Sequence, residues 1–165
     1  MTESMNYWIK NLHLEPHPEG GYFVETTRSN ESLDLPQGSR PLFTSIIFLL
    51  TTDNPSHFHR LSSDETWFYH AGSPLTVHCI FPDGHYAAIK IGPNLTNGEC
   101  LSYTVPKGTI FGSSVSDSFS VVSCVVTPGF DYNDFELFTQ STLINKYPEH
   151  TSVIKQLAYE EIPKQ

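Results

Sequence analysis

HFHRLSSDETWFYHAG (residues 57–72) places two histidines one residue apart, just before an acidic and aromatic cluster. Side chains alternate between the two faces of an extended segment, so His57 and His59 are predicted on one face and Phe58 on the other. Two imidazoles about 7 Å apart along a strand can converge on one ion or one substrate. This stretch is therefore the first candidate for a functional site.

A carboxylate follows the two histidines, since Glu65 comes back on the next extended segment. An oxygen ligand beside two nitrogen ligands suits manganese, iron, nickel or zinc. His57, His59 and Glu65 are therefore predicted ligands of one divalent transition metal. A pair of half-buried structural histidines explains the same spacing, because histidine is intermediate in its burial preference. Both interpretations stay open at this point.

Short apolar segments on both sides of this stretch predict a β-rich fold. Residues 42–50, LFTSIIFLL, are continuously apolar and are predicted to form a strand that is buried on both faces. Asp83-Gly84 lies between two such segments and is typical of a tight hairpin turn. The other strands are predicted at 21–27, 57–60, 65–70, 75–81, 85–91, 100–105, 109–115 and 119–127.

The two ends of the chain carry helical patterns instead. Residues 3–12 have apolar side chains at helical spacing. Pro148 begins a second pattern of this kind, which predicts a closing helix. The polar, turn-rich residues 29–41 predict a surface loop. The predicted architecture is all-β, an antiparallel barrel or double sheet with short N- and C-terminal helices, and residues 1–165 form one domain.

Composition restricts the partners and the compartment. The net charge of −9 argues against nucleic acid, since a duplex-binding domain needs clustered cations. Arg28, Arg40 and Arg60 can still meet a small anionic ligand. The sequence shows no signal-peptide pattern and no apolar run of the ~20 residues that span a membrane. Its three cysteines lack CxxC spacing, so we predict a cytoplasmic protein without a disulfide framework.

The motifs of this chain resemble those of the cupin superfamily. The first cupin motif reads G-x5-H-x-H-x3-4-E-x6-G, and His57, His59, Glu65 and Gly72 match it. The chain departs from the motif at Thr51, which stands in the place of the opening glycine. The gap between the second histidine and the glutamate is one residue longer than usual. The resemblance implies a jelly-roll barrel, an antiparallel double-stranded β-helix.

The second cupin motif, G-x5-P-x-G-x2-H-x3-N, is matched only in part. Gly98, Pro106 and Gly108 match, with two extra residues before the proline. Phe111 stands where the last metal-binding histidine belongs, and Val115 replaces the asparagine. Because phenylalanine cannot coordinate a metal, three of the four usual ligands remain at most.

A closer resemblance is to one cupin branch, the DUF985 or cupin-5 group. Proteins of that group form dimeric jelly rolls and have no established activity. The resemblance therefore implies a homodimer but no particular chemistry. A strand at 21–27 is a candidate for pairing with the partner's sheet, which would cover an exposed edge. The matching segments are EPHPEGGYFVETTRS, SHFHRLSSDETWFYHAG, VPKGTIFG, VTPGFDYNDFEL and YPEH.

GGYFVETTR is also similar to the N-terminal strand of the dTDP-sugar 3,5-epimerases. In those cupins an arginine and a glutamate on this strand help hold the nucleotide. The first histidine of the H-x-H region acts there as a general base without a metal. By this resemblance His57 is a predicted base, and Glu25 and Arg28 are predicted substrate contacts.

Four further residues complete the predicted site. Tyr69 is a candidate proton donor, or else a large core residue. His78 either enters the pocket as a substrate contact or is a hydrogen-bonded wall residue. Trp67 and Phe111 are predicted to line the substrate pocket. The remaining histidines lie near turns or helix ends without partner spacing, or face away from Glu65, and no site role is predicted for them: His13, His17, His70, His85 and His150.

Three functions are compatible with these residues. The first is an isomerase or epimerase acting on a sugar-like or small anionic metabolite in the barrel pocket, with His57 as base. The same pocket can instead support metal-dependent catalysis through His57, His59 and Glu65. The second function is a cupin that binds a ligand without turnover. The third is a β scaffold whose histidines are structural.

Overall fold

Two antiparallel sheets face each other in the computed structural model, which describes residues 3–164. The first sheet has, in spatial order, strands β1 (Glu15–Pro16), β2 (Tyr22–Arg28), β5 (Thr44–Thr51), β12 (Phe119–Thr127), β7 (Asp64–Gly72) and β10 (Ser102–Val105). The second has β13 (Glu136–Leu137), β6 (Ser56–Arg60), β11 (Ile110–Val115), β8 (Leu75–Ile80) and β9 (Tyr86–Ile91). Strands β3 (Ser32–Leu35) and β4 (Gly38–Pro41) form a separate hairpin. The all-β jelly-roll prediction is confirmed.

The main core lies between the two sheets. Strand alternation directs every second side chain inward, so Phe48, Trp67 and Phe111 meet there, each at most 2% exposed. Burying such side chains stabilises the fold by about 1.5–3 kcal/mol each. Three residues of this core, Leu61, Cys124 and Val126, also line a cavity.

The helices cover the outer faces of the sheets. Helix α1 (Met5–Leu12) packs Trp8 and its apolar neighbours against the six-stranded sheet. Helices α2 (Gln140–Lys146) and α3 (Thr151–Leu157) bury Leu143 and Ile154 against Phe58 of the five-stranded sheet. Within residues 3–164, every helix is too short or too polar to cross a membrane.

Two sequence predictions needed correction. The predicted surface loop at 29–41 is wrong, because most of it is the β3–β4 hairpin, whose strands are largely exposed and therefore lack an apolar pattern. The predicted closing helix is interrupted, since Pro148–His150 is a 3-10 turn before α3. Helix α2 precedes that turn and was not predicted. The strand predictions from 42 to 127 are confirmed to within two residues at nearly every boundary.

Candidate functional site

A cavity of about 180 Å³ opens at one end of the barrel. Its volume lies below the range typical of drug-sized ligands, so it suits a small metabolite. The cavity combines an apolar wall with a few convergent polar groups, which is the usual composition of a ligand site. Its lining residues are His17, Glu19, Phe23, Glu25, Arg28, Thr44, Ile46, His59, Leu61, Glu65, Cys124, Val126, Phe130 and Tyr132.

Glu19 is the buried anion of this cavity. It comes from the loop at 17–21, where Gly20 has a φ of 110° and a Cβ would stand 1.9 Å from the carbonyl oxygen of Pro55. Only glycine fits this close approach. The Glu19 carboxylate accepts a hydrogen bond from Ser56 Oγ at 2.6 Å, and its Oε2 lies 2.9 Å from His59 Nδ1. Burial alone would raise the pKa of Glu19, but His59 and Ser56 outweigh it and lower the pKa to about 2.

His59 lies beside Glu19 with a fixed tautomer. Its Nδ1 is 2.7 Å from the carbonyl oxygen of His57 and 2.9 Å from Glu19 Oε2. Both neighbours are acceptors, so Nδ1 carries the hydrogen and Nε2 is the nitrogen left to exchange a proton. Burial would lower the pKa of His59, but the adjacent Glu19 anion reverses this and the pKa is raised.

Glu65 provides a second carboxyl group with the opposite behaviour. Burial, followed by repulsion from the Glu19 anion, raises the pKa of Glu65 to about 8. The charge interaction with His59 opposes this rise, and so does the indole N–H of Trp67, although the latter lacks the geometry of a hydrogen bond. Oε2 of Glu65 is buried and has no hydrogen-bond partner among residues 3–164. Glu65 is therefore a neutral acid at pH 7, and its proton is available to a ligand.

His17 forms another part of the cavity wall. The backbone N–H of Glu19 donates to His17 Nδ1 at 3.1 Å. Five aromatic rings surround the imidazole, with Phe23 nearest at a centroid distance of 4.6 Å. Burial lowers the pKa of His17, while the Glu19 carboxylate partly offsets this effect. His17 is therefore held neutral, whereas the Glu19 anion raises the pKa of His59.

Charged and aromatic side chains border the cavity mouth. Arg28 donates to Glu25 at 2.7 Å, and both side chains are about half exposed. The pairing of β2 with β5 shifts by one residue between Glu25 and Thr27, which marks a β-bulge. This bulge lets Arg28 face the cavity together with Glu25, although the two residues are an odd number apart. Tyr132 borders the mouth on another side and is 50% exposed.

A second bulge, in β6, separates the two histidines of the motif. Phe111 of β11 pairs with His59, whereas Ser113, two residues later, pairs with Ser56, three residues earlier. The extra residue breaks the alternation, so Ser56 and His59 both face the interior. Gly112 lies opposite this bulge, and a Cβ on it would stand 2.8 Å from the carbonyl oxygen of Ser56.

His57 consequently lies outside the cavity. Its ring stacks on Tyr159 at a centroid distance of 3.7 Å, and its Nδ1–H donates to the Glu19 carbonyl oxygen at 2.7 Å. The expectation that His57 and His59 share a face is therefore wrong, because the sequence pattern assumed a regular strand. His57 supports the 17–21 loop from behind.

The predicted three-ligand metal centre does not fit this geometry. Among residues 3–164, no three histidine, cysteine or carboxylate side chains are placed so that they hold one metal ion. His57 points away from His59, and the ring of Phe111 packs 4.2 Å from the His59 ring on a side where the resemblance expects another ligand. A resident metal bound by His57, His59 and Glu65 therefore finds no support in these residues.

The remaining predicted site residues lie outside the lining of the cavity. Trp67 and Phe111 are core residues, with ring centroids 6.3 Å apart. Tyr69 also packs against the core, and its hydroxyl donates to the Gly72 carbonyl oxygen at 2.7 Å. His78 lies on the opposite face of β8 from the core, between the hydroxyls of Tyr86 and Ser114. None of these four residues lines the cavity.

Sequence reasoning missed three important residues, namely His17, Glu19 and Tyr132. The segment EPHPEGGYF signalled only a break and a turn, because its histidine and glutamate show no periodicity. Their neighbours in space come from distant segments, and the hydrogen bond between Glu19 and Ser56 spans 37 residues. The two adjacent glycines were the only local sign that this loop approaches another backbone closely.

Comparisons with known proteins agree with the fold. Residues 6–138 match the family described as the cupin superfamily (DUF985). A hypothetical protein from Leishmania major is 48% identical, with a TM-score of 0.92 over 96% of this chain and 100% of its own. A crystal structure of a protein from Shewanella oneidensis is 44% identical, with the same TM-score over 97% of this chain and 100% of its own.

Two further relatives extend the comparison. An uncharacterized protein of Saccharomyces cerevisiae is 32% identical over 148 residues, which cover 79% of this chain and 73% of the yeast protein. A variant of oxalate decarboxylase from Bacillus subtilis is 15% identical, with a TM-score of 0.57 over 93% of this chain and 41% of its own, and this likeness shows the fold alone. The chain belongs to the DUF985 family of the cupin superfamily.

Proposed function

We propose that this protein binds a small sugar-like or anionic metabolite in its cavity and isomerises or epimerises it by proton transfer. The observation that carries the proposal is the buried pair of Glu19 and His59. The Nε2 atom of His59 has no hydrogen-bond partner within the described residues. A carboxylate that orients an imidazole in this way is a common arrangement for general base catalysis.

Two titratable groups in the cavity have complementary roles in the proposal. His59, in its neutral form, takes a proton from the substrate through Nε2. Glu65 keeps its proton up to a pKa of about 8 and supplies one. Paired groups whose environments push their pKa values apart are typical of acid–base active sites. The role of base passes from His57 to His59, because only His59 lines the cavity.

Glu25 and Arg28 orient the ligand at the mouth in this proposal. The guanidinium of Arg28 presents several donors to an anionic or hydroxyl-rich compound. Thr44, Phe23, Ile46 and the other cavity walls exclude water from the reacting group. Tyr69 has no part in the chemistry, since its hydroxyl is engaged with a backbone carbonyl.

The experiment incubates the protein in D₂O with a panel of aldoses, ketoses, uronic acids and small hydroxy and oxo acids. Deuterium incorporation at carbon is followed by proton NMR. We expect one compound class to exchange, and His59→Gln to slow this exchange at least ~100-fold, because a positioned base contributes about 10²–10⁴-fold. His57→Gln is expected to keep most of the exchange, which separates the two histidines of the motif.

His85→Gln is the matched control, because His85 lies on an exposed hairpin away from the cavity. Thermal melts of all variants establish that they fold. Exchange at the wild-type rate in His59→Gln would overturn the proposal. A compound that binds saturably but never exchanges would favour the second candidate, a ligand-binding cupin without turnover, for which the apolar walls at Phe23 and Phe130 are sufficient.

A further inference from the structure

We infer that His17 is a further catalytic residue, whose Nε2–H donates to a carbonyl oxygen of the substrate. The substrate is accordingly an aldehyde, a ketone or an α-oxo acid that carries a hydrogen on the neighbouring carbon. This inference rests on the proposed function and names the substrate class of the same cavity. It is carried by the hydrogen bonding of His17 and not by its spacing in the sequence.

The tautomer of His17 follows from its contacts. A backbone N–H can only donate, so the 3.1 Å contact from Glu19 N makes His17 Nδ1 an acceptor. Glu19 Oε1 also lies near Nδ1, at 3.4 Å, but this contact is an ion pair only if the ring is protonated. The shorter bond from the backbone and the buried surroundings favour the neutral ring. Its hydrogen is then on Nε2.

The Nε2–H of His17 has no protein acceptor. No hydrogen bond from this atom exists within residues 3–164, although His17 is only 8% exposed. Among the described residues, Nε2 of His17 is not one of the side-chain atoms that are shut off from solvent without a partner, so water or a ligand can accept its hydrogen. Because His17 lines the cavity, a ligand there can accept this hydrogen bond.

The orientation of the ring is fixed before any ligand binds. Phe23, Phe48, Phe130, Tyr132 and Phe135 surround His17, at ring-centroid distances from 4.6 to 6.5 Å. Close packing of this kind leaves little freedom of rotation. The donor is therefore preorganised, which is the condition under which a hydrogen bond stabilises charge that develops during a reaction.

Both histidines are held through one glutamate. The backbone N–H of Glu19 donates to His17 Nδ1, and the Glu19 Oε2 atom lies 2.9 Å from His59 Nδ1. Because both side chains line the same cavity, a substrate can meet a neutral donor at one end and a base at the other. A neutral imidazole is an effective electrophile towards a carbonyl group.

The chemical step balances without a co-reactant. His59 Nε2 takes the proton from the carbon beside the carbonyl, and the C–H electron pair forms a C=C bond. The carbonyl π pair moves to oxygen, and the resulting enolate accepts the hydrogen bond from His17 Nε2–H. Glu65 gives its proton to the other face of the carbon, which inverts the configuration and restores the carbonyl group, and the proton held by His59 then passes to Glu65 to complete the cycle.

The experiment compares pairs of probes in which a carbonyl group of one member is a hydroxyl group in the other. The pairs are pyruvate with lactate and dihydroxyacetone with glycerol. Dissociation constants are measured by NMR titration for the wild type, His17→Phe and His17→Gln. We expect the carbonyl member of at least one pair to bind about fivefold more tightly than its hydroxyl partner in the wild type, which is the factor that corresponds to the typical net contribution of one hydrogen bond. His17→Phe keeps the aromatic packing and is expected to lose this preference.

His17→Gln retains an N–H donor and is expected to keep part of the preference, and His85→Phe is the surface control. Deuterium exchange into a bound carbonyl probe is expected to fall about 100-fold in His17→Phe, as for the loss of one oxyanion donor. Equal binding of both members of each pair in the wild type, or a preference that survives in His17→Phe, would overturn the inference. If exchange requires His59 but not His17, the proposed function stands and this inference fails.

Discussion

Glu19 and Glu65 show how burial and neighbours separate two identical side chains. Glu19 accepts a hydrogen bond from Ser56, lies next to His59 and stays ionised. Glu65, in contrast, accepts no hydrogen bond at Oε2 and keeps its proton. Two anions in one small cavity would repel each other, so one carboxyl retains a proton. The single remaining charge, on Glu19, lies 2.9 Å from His59 Nδ1 and orients that ring. A carboxylate–imidazole pair thus occupies the region in which the resemblance implied a metal ion.

His78 illustrates a residue whose effect on stability depends on pH. Burial lowers its pKa from 6.5 to about 4, so the unfolded chain binds a proton between these values and the folded chain does not. The free energy of unfolding is therefore expected to fall as the pH decreases from about 6.5 to about 4. The contribution of His78 is at most about 3 kcal/mol.

Urea unfolding of the wild type and of His78→Gln between pH 4 and pH 7 measures this effect. Glutamine can replace both hydrogen bonds, to Tyr86 and Ser114, but does not titrate. The difference between the two curves isolates His78 from other groups such as His17. A constant difference across this pH range would contradict the prediction.

At the scale of secondary structure, the end of β7 depends on a glycine. Gly72 has a φ of 82°, and a Cβ there would stand 2.3 Å from the carbonyl oxygen of Phe119. Gly98 has a similar φ of 76° but no atom within 4 Å of that position. Both glycines avoid the strain of a left-handed backbone, while only Gly72 also permits close contact between strands.

Alanine substitutions at these two glycines separate strain from contact. Gly98→Ala is expected to lower the free energy of unfolding by about 1–2 kcal/mol through backbone strain alone. Gly72→Ala is expected to lose a further 1–3 kcal/mol, roughly, because β7 and β12 must move apart. Chemical denaturation of both variants provides the measurement. Equal losses would show that the contact at Gly72 relaxes without cost.

The strands were predictable because apolar residues alternate or run continuously along them, as at 42–50 and 119–127. The β-bulges at His57 and at Thr26 were not predictable, since each depends on how a neighbouring strand is paired. They alter which side chains face the cavity. The fold could therefore be predicted from local patterns and the resemblance. Which side chains line the cavity could not, because that depends on single-residue shifts in strand register.

At the scale of the whole molecule, one arginine connects the hairpin to the cavity mouth. Arg40 of β4 donates to both carboxylate oxygens of Asp134, at 2.7 and 3.0 Å, across 94 residues of sequence. Asp134 belongs to the 3-10 turn Tyr132–Asp134. The hairpin formed by β3 and β4 thus holds the turn that carries Tyr132 at the mouth.

Arg40→Ala is expected to loosen this turn and the hairpin together, because two-point hydrogen bonding is lost. Hydrogen exchange of backbone amides at 32–41 and 129–135 is expected to quicken, with little change in the barrel strands. Arg28→Ala, which removes an exposed ion pair, serves as the control and is expected to leave these amides unchanged. Unchanged exchange in Arg40→Ala would show that the hairpin is held by other contacts.

The homodimer and the organisation of residues 1–165 as one domain stay predictions. Light scattering at micromolar concentration tests the dimer, and a monomer there would contradict it. The strand expected to pair with a partner, 21–27, is paired on one side with β5, while the two-residue strand β1 covers only Tyr22 and Phe23 on the other side. Within the described residues, the rest of this edge is left for pairing with another chain.

The stacking of His57 on Tyr159 has a consequence for biosynthesis. Tyr159 also donates to the Pro18 carbonyl oxygen, across 141 residues, so the loop that carries Glu19 is braced by a residue that leaves the ribosome long after it. A nascent chain that stops before Tyr159 contains every side chain of the cavity but lacks this brace. Cavity formation is therefore expected to finish only after translation has passed Tyr159, later than the pairing of the central strands.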